Sequence, residues 1–343
     1  MVNDQIVNPM IDTHIHLDEE AYAPDREEMI LRQRESGVEA MLIPGVNASS
    51  VGPILDLSAA FTGLCYPALG FHPQEVKEDW KAQWTLIEAA IREHRDKLVA
   101  IGEIGLDYYW DTTFKAEQQE LLRLQLALAQ ELNLPVMIHN REATEDTLRI
   151  LREAQMAHGT SPNGKLTGVI HCFNGSRETA QQILDMGFYL GIGGVITFKN
   201  CKLADTLAGD ERFAPVPLER LLLETDGPYL APTPFRGQRN ESRLMSYVVE
   251  RLAQVYNCSP EAIIEATTAN AKANIYPLLT TVTEVDRDKD LVTVEDNNGF
   301  IWQFEGADDW EEGDLCNCLM DSRGTEKIFD DEIIMTRSES GTK

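Results

Sequence analysis

No stretch of this 343-residue chain approaches the length of a membrane-spanning helix. Its first residues, MVNDQIVNP, have neither a basic start nor an apolar centre. A membrane anchor and a secretory leader are therefore not expected. Cysteine is sparse: six in a chain of this length make no disulfide framework. Cys316 and Cys318 stand too close together for the usual zinc pair, and no second pair accompanies them. A reducing, cytoplasmic setting is the expectation. Basic residues are also short, 30 Lys and Arg against 57 Asp and Glu, for a formal charge of −27. That deficit argues against capture of nucleic acid by a broad positive surface. It leaves a nucleic-acid substrate open, because bound cations reverse the sign of a local site. Much of the acidity lies from Glu284 onward, so the main body is milder. What remains is 43% apolar residues and enough length for a full core, as in a soluble globular protein.

Eight apolar runs alternate with helical patterns: PMIDTHIHL, VEAMLIPGV, CYPALGFHP, LVAIGEIGLD, PVMIHN, TGVIHCF, FYLGIGGVI and RLLLETDGPYL. Between them, helical spacing is clearest over 116–131, with further patterns over 26–36, 80–94, 141–157 and 177–186. Continuously apolar strands separated by amphipathic helices indicate an α/β fold with a parallel sheet covered on both faces. Eight such units match a closed TIM (β/α)8 barrel, here over residues 1–278 and ending with a helix at 267–278. An open doubly wound sheet is the alternative, but only a closed ring brings six strand ends to one centre. Beyond it the texture becomes alternating, with a turn signal at Asn297–Asn298–Gly299. We expect a small acidic all-β domain over 281–337 and a disordered tail over 338–343.

His14 and His16 lie two apart at the end of the first apolar run, so in an extended chain both imidazoles face one side. Four further runs deliver residues of metal-ligand type at their ends: Glu103, His139, His171 and Asp226. This is the donor set a hydrolytic metal centre needs. Gly102 and Gly105 flank Glu103 and permit close backbone approach. Imidazoles suit zinc, manganese or iron and carboxylates suit magnesium, so the metal's identity stays open. His72 could touch a substrate phosphate or leaving oxygen, or brace its strand. Arg141 and Arg236 could grip phosphate in bidentate fashion, or form ordinary surface ion pairs. Asn174, Asp107, Tyr108 and Asn240 are candidates for shaping the pocket or contacting substrate, and Glu224 could be structural. Trp302, Phe304 and Trp310 read either as core of the acidic domain or as a surface for an unknown partner.

DTHIHLD, GFHP, GEIGLDYY, HNREA, HCFNGS, ETDGPYLAP, RGQRNE and TTANAK follow one another in this order. Together they resemble the TatD family of metal-dependent hydrolases, within the wider amidohydrolase-like barrels. The resemblance covers roughly residues 10–278 and leaves the acidic C-terminal segment outside. It implies a TIM barrel, two divalent metal ions (magnesium, manganese or zinc), and a 3′→5′ deoxyribonuclease acting on single-stranded DNA or 3′ ends. Residue by residue, it implies that His14 and His16 hold the first metal and that Glu103 bridges both. His139 and His171 would hold the second, and Asp226 would bind the first and orient the attacking water. Asp226, Glu103 and His72 are thus the expected catalytic groups, with Arg141, Asn174, Arg236 and Asn240 at the substrate. A metal-dependent ester or amide hydrolase, such as an aminoacyl-tRNA deacylase, is the alternative; a vestigial, non-catalytic scaffold is a third. Cyclic-amide hydrolases of the superfamily often carry a bridging Lys after strand four, and Glu103 stands there instead. Gly227 replaces the more common Ala, Ser242 stands where Pro often follows Asn-Glu, and Asn174 where Ser is frequent. These departures bear on loop shape and substrate choice.

Overall fold

The eight apolar runs form strands β1 (Met10–Asp12), β2 (Val38–Ile43), β3 (Cys65–Leu69), β4 (Ala100–Asp107), β5 (Val136–Arg141), β6 (Gly168–Ile170), β7 (Tyr189–Ile192) and β8 (Leu221–Leu223). They lie side by side in chain order, each parallel to the next. Backbone hydrogen bonds from Thr13 N–H to Leu223 O (3.0 Å), Asp226 N–H to His14 O (2.9 Å) and His16 N–H to Gly227 O (2.8 Å) join the last strand region to the first. The sheet thus closes into the expected TIM (β/α)8 barrel. The coordinates are a computed structural model and describe residues 9–157, 166–275, 277–296, 301–305, 307, 310–313, 315–321 and 332–338. Contacts divide the chain into two compact units, Met1–Ala271 and Lys272–Lys343. No helix among the described residues is long and apolar enough to cross a membrane.

Helices α1 (Arg26–Glu35), α2 (Val51–Ala60), α3 (Trp80–Glu93), α4 (Lys115–Leu132), α5 (Thr144–Ala157), α6 (Arg177–Asp185), α7 (Leu203–Ala208), α8 (Met245–Tyr256) and α9 (Pro260–Ile275) accompany the strands. In α4 the leucine pattern buries Leu121, Leu122, Leu126 and Leu128, and Asn133 ends the helix in the left-handed conformation (φ 51°). Two expected boundaries shift. Asn140 and Arg141 extend β5, so α5 starts at Thr144 rather than 141. The final helix starts at Pro260 and stops at Ile275, because Pro277 opens a strand.

The second unit holds β9 (Pro277–Asp286), β10 (Leu291–Asp296), β11 (Ile301–Glu305), β12 (Leu315–Asp321) and β13 (Glu332–Ser338), in the order β11-β10-β9-β12-β13. Every pairing is antiparallel. Val282, Val292, Val294, Ala307 and Trp310 form a small core, with Trp302 and Phe304 half-buried against it. Val294 faces Trp302 and Val292 faces Phe304 across the ladder, the β-branched–aromatic pairing that stabilises antiparallel strands. The Asn297–Asn298–Gly299 turn lies outside the described residues. So does the tail over 339–343, whereas Ser338 belongs to β13.

Candidate metal centre

The six expected ligand positions meet at the carboxyl-terminal mouth of the barrel. His14 and His16 follow β1, His171 follows β6, Asp226 follows β8, and Glu103 and His139 lie in β4 and β5. Glu103 is aimed inward by a register shift: Ile101 pairs with Val136 and Ile104 with Ile138, so Gly102 and Glu103 together oppose Met137. Such a bulge turns a side chain that the regular pleat would direct elsewhere. Gly45 clamps this segment from the other side, donating to Gly102 O and accepting from Glu103 N–H, both at 2.9 Å. Gly105 has φ +148°, and a Cβ there would lie 2.0 Å from His139 O, so only glycine lets β4 and β5 approach here.

Glu103 divides its two oxygens between two groups of imidazoles. Oε2 lies 3.3 Å from His14 Nε2 and 3.5 Å from His16 Nε2. Asp226 Oδ1 completes that side, 3.8 and 3.6 Å from the same nitrogens. Oε1 lies 2.8 Å from His139 Nδ1, 3.0 Å from His171 Nε2 and 3.3 Å from His72 Nε2. Donors sharing one cation at about 2.0–2.2 Å sit roughly 3–3.5 Å from one another. The His14, His16, His72 and His171 spacings to Glu103 fall in that range, with His139 slightly closer and Asp226 slightly farther, and three combinations converge closely enough to hold an ion: His14–His16–Glu103, His14–His171–Asp226 and His72–Glu103–His139.

Outer partners orient the imidazole rings. His139 is held between two carboxylates, its Nε2 3.0 Å from Asp107 Oδ2 and its Nδ1 2.8 Å from Glu103 Oε1. His171 presents Nδ1 to the buried Glu224, 3.6 Å from Oε1, and Nε2 inward. His72 differs. Its Nδ1 accepts the Gln74 backbone N–H (3.2 Å), so the neutral ring carries its proton on Nε2, facing the site. His139 and His171 thus each set one nitrogen against an outer carboxylate and the other against Glu103, whereas His72 sets Nδ1 against a backbone N–H and Nε2 against Glu103.

Burial and mutual charge set the protonation balance. Burial raises the Glu103 carboxyl's pKa, but His72, His171 and His14 outweigh it and hold it well below the usual range. His171 is depressed by burial yet raised well above the ordinary imidazole value by Glu103 and Glu224. His14 goes down, through burial and the positive field of His171. Asp12, fully buried between β1 and β8, is pushed up to about 7 by burial, against hydrogen bonds from Ser242 and Thr225. Its carboxylate accepts from Thr225 N–H and Oγ1 and from Ser242 Oγ, stapling the barrel seam under His14. No local motif marks this structural role, and it explains Ser242: a proline there would have no hydroxyl to give. Gly227 likewise has a partner, because a Cβ would lie 2.5 Å from Tyr22 Oη, which donates to Asn240 O.

The rim residues separate into two sets. Arg141, at the end of β5, lies over the Tyr109 ring (3.9 Å), and Arg236 over Phe198 (3.7 Å). Neither guanidinium is engaged in an ion pair among the described residues. Asn174 is exposed and takes only a weak contact from Cys201 Sγ. Two expectations need correcting. Asn240 is completely buried, its amide donating to Thr225 O and accepting from Glu241 N–H, so it braces the loop after β8 and has no access to a ligand. Tyr108 turns toward the helices, donating to Asp146 beneath the Lys115 ammonium, because its backbone continues the β4–β5 ladder past the mouth. Glu224, left open by the sequence, is buried and accepts the Cys172 N–H while facing His171.

Known proteins resemble this chain over most of the barrel. The TatD related DNase family profile matches residues 11–275. The metal-dependent hydrolase YabD of Bacillus subtilis, itself described as uncharacterized, is 40% identical over 263 residues, 77% of this chain and 97% of the relative. The 3′-5′ ssDNA/RNA exonuclease TatD of Pantoea ananatis is 37% identical, covering 77% of this chain and 98% of the relative. The crystal structure of YjjV, a TatD homolog from Escherichia coli, superposes with a TM-score of 0.69 at 30% identity, covering 78% of this chain and 97% of that one.

Proposed function

Because the chain belongs to the TatD family of metal-dependent hydrolases, we propose that it is a phosphodiesterase that shortens single-stranded DNA from its 3′ end. The observation that carries the reading is the division of Glu103 between two imidazole groups, Oε2 toward His14 and His16 and Oε1 toward His139 and His171. These residues, with Asp226, would hold two divalent cations. Such cations, when bound, supply Lewis-acid charge to the phosphate and lower the pKa of the attacking water.

The protein's own groups divide the remaining work. Asp226 keeps 18% of its side chain exposed against 3% for Glu103, so its carboxylate is the one that meets solvent. That carboxylate accepts the proton of the incoming water and fixes the line of attack. His72 Nε2–H donates to a non-bridging phosphate oxygen as charge builds there. The planar face of Arg141 is already occupied by Tyr109, which leaves its N–H edge for the neighbouring phosphate.

The test is incubation of the metal-loaded protein with end-labelled single-stranded DNA and, separately, with charged tRNA. Stepwise shortening from the 3′ end is the expected result. Release of the amino acid alone, with the DNA intact, would move the assignment to ester hydrolysis.

A further inference from the structure

Beside the cluster, on the His72 and His139 side, lies a cavity of about 230 Å3 that the hydrolytic chemistry leaves without a role. Pro73 and Val76, after His72, and Trp110 and Phe114, after β4, give it apolar walls. It adjoins the centre through shared residues. Asp107 lines it while holding His139, and Gln74 lines it while donating to Asp107 Oδ2 at 2.7 Å.

Three features say what fits. Trp110 is 68% exposed yet held in place, edge-on to Tyr109 at 4.8 Å and with Arg141 5.3 Å from its ring. Gln118 is almost fully buried, and its carbonyl accepts the Asp107 N–H at 3.0 Å. That bond fixes the amide at the cavity wall, and its amino group has no hydrogen-bond partner among the described residues. The charged lining is Glu75, Asp107 and Asp111 against Lys77 alone, a balance that repels phosphate. The volume lies below the roughly 300–1,000 Å3 of pockets that take larger ligands, so one planar ring system is the appropriate size.

We propose that this cavity is a nucleobase subsite. It takes the unpaired base of the nucleotide whose phosphate sits at the cluster, stacked on Trp110 with Gln118 donating to an acceptor on the base edge, such as a pyrimidine carbonyl. The proposal rests on the phosphodiesterase reading and deepens it: a base can enter only when out of the duplex, which makes the cavity a source of single-strand preference.

The full-length protein is loaded with manganese and titrated with a 5′-labelled, phosphorothioate-linked oligothymidylate. A matched strand lacks bases at its two 3′-terminal residues. Fluorescence anisotropy should show the intact strand binding about tenfold tighter than the abasic one, as expected for stacking one base on an aromatic ring. In Trp110→Ala that ratio falls toward one, and Trp110→Phe restores it. A wild-type ratio near one, or a Trp110→Ala ratio that stays at ten, overturns the subsite. Cleavage of the same strands with ordinary phosphodiester linkages is followed in parallel. Cleavage without base preference removes the subsite alone. Base preference without cleavage of any strand keeps the subsite and removes the phosphodiesterase reading.

Discussion

Strand Ala100–Asp107 of the barrel is buried along its whole length, whereas Leu291–Glu295 in the C-terminal unit alternates between buried and half-buried residues. The first is the signature of a parallel sheet covered on both faces, the second of a ladder with one face on a small core. The difference governs where chemistry can reside. In the barrel, burial on both faces leaves the strand ends as the only openings, and the polar groups gathered there are desolvated and forced onto one another. Every buried Asp, Glu and His among the described residues lies in the barrel unit. Among the described side chains of the C-terminal unit are Val–aromatic pairs and a core of Val282, Val292, Val294, Ala307 and Trp310.

That contrast can be attacked in order of effect. Glu103→Ala removes the one group shared by both sides of the cluster, and kcat/KM on a DNA substrate should fall on the order of 10³-fold, the upper range for losing one preorganised charged group. Retention of more than a tenth of the activity would end the assignment. Asp226→Asn keeps shape and removes the base, and should cost about 10²-fold or more in kcat with little change in KM. Asp107→Ala frees His139 Nε2 and should weaken metal affinity about 10- to 100-fold without unfolding the barrel. Excess metal should recover most of the rate.

A smaller effect concerns stability. Arg239 holds Asp25 through both nitrogens (2.6 and 2.9 Å) and reaches Glu241 (2.9 Å), tying the start of α1 to the loop after β8. The Arg239 and Arg32 guanidinia hold the Asp25 carboxyl below its ordinary value. Burial raises Glu241, but Arg243 and Arg239 outweigh it and its pKa is also lowered. Depressed carboxyl values mean that this stabilisation is present above the unfolded values, near 4, and is lost as pH falls through the folded ones. The melting-temperature gap between wild type and Arg239→Ala should therefore be constant from about pH 7 to 5 and close below about pH 4. A gap that persists in acid would show that the arginine acts through packing on Tyr22 instead. The smallest expected effect is that of removing everything after Ile275: hydrolysis by the remaining barrel should stay within about twofold of the full chain, because the whole donor set lies before that point.

The eight barrel strands were legible because strands buried on both faces are written as unbroken apolar runs, and five of those runs carry the expected metal ligands at their ends. Helix starts were less legible: Arg141 continues β5 because it pairs with Asp107, a long-range contact with no local signal. Asp12 could not be singled out, since its importance lies in Thr225 and Ser242, more than two hundred positions away. The tautomer of His72 was also out of reach, because it depends on one backbone N–H at Gln74. Asn240 misled for the opposite reason. Its side chain type suits substrate, but the fold spends it on Thr225 O.

The most direct test is diffraction at the manganese absorption edge from manganese-loaded crystals. Two anomalous peaks about 3.5–4 Å apart are expected, one beside Glu103 Oε2 with His14 and His16, the other beside Oε1 with His139 and His171. A single peak, or two peaks that do not share Glu103, would contradict the account.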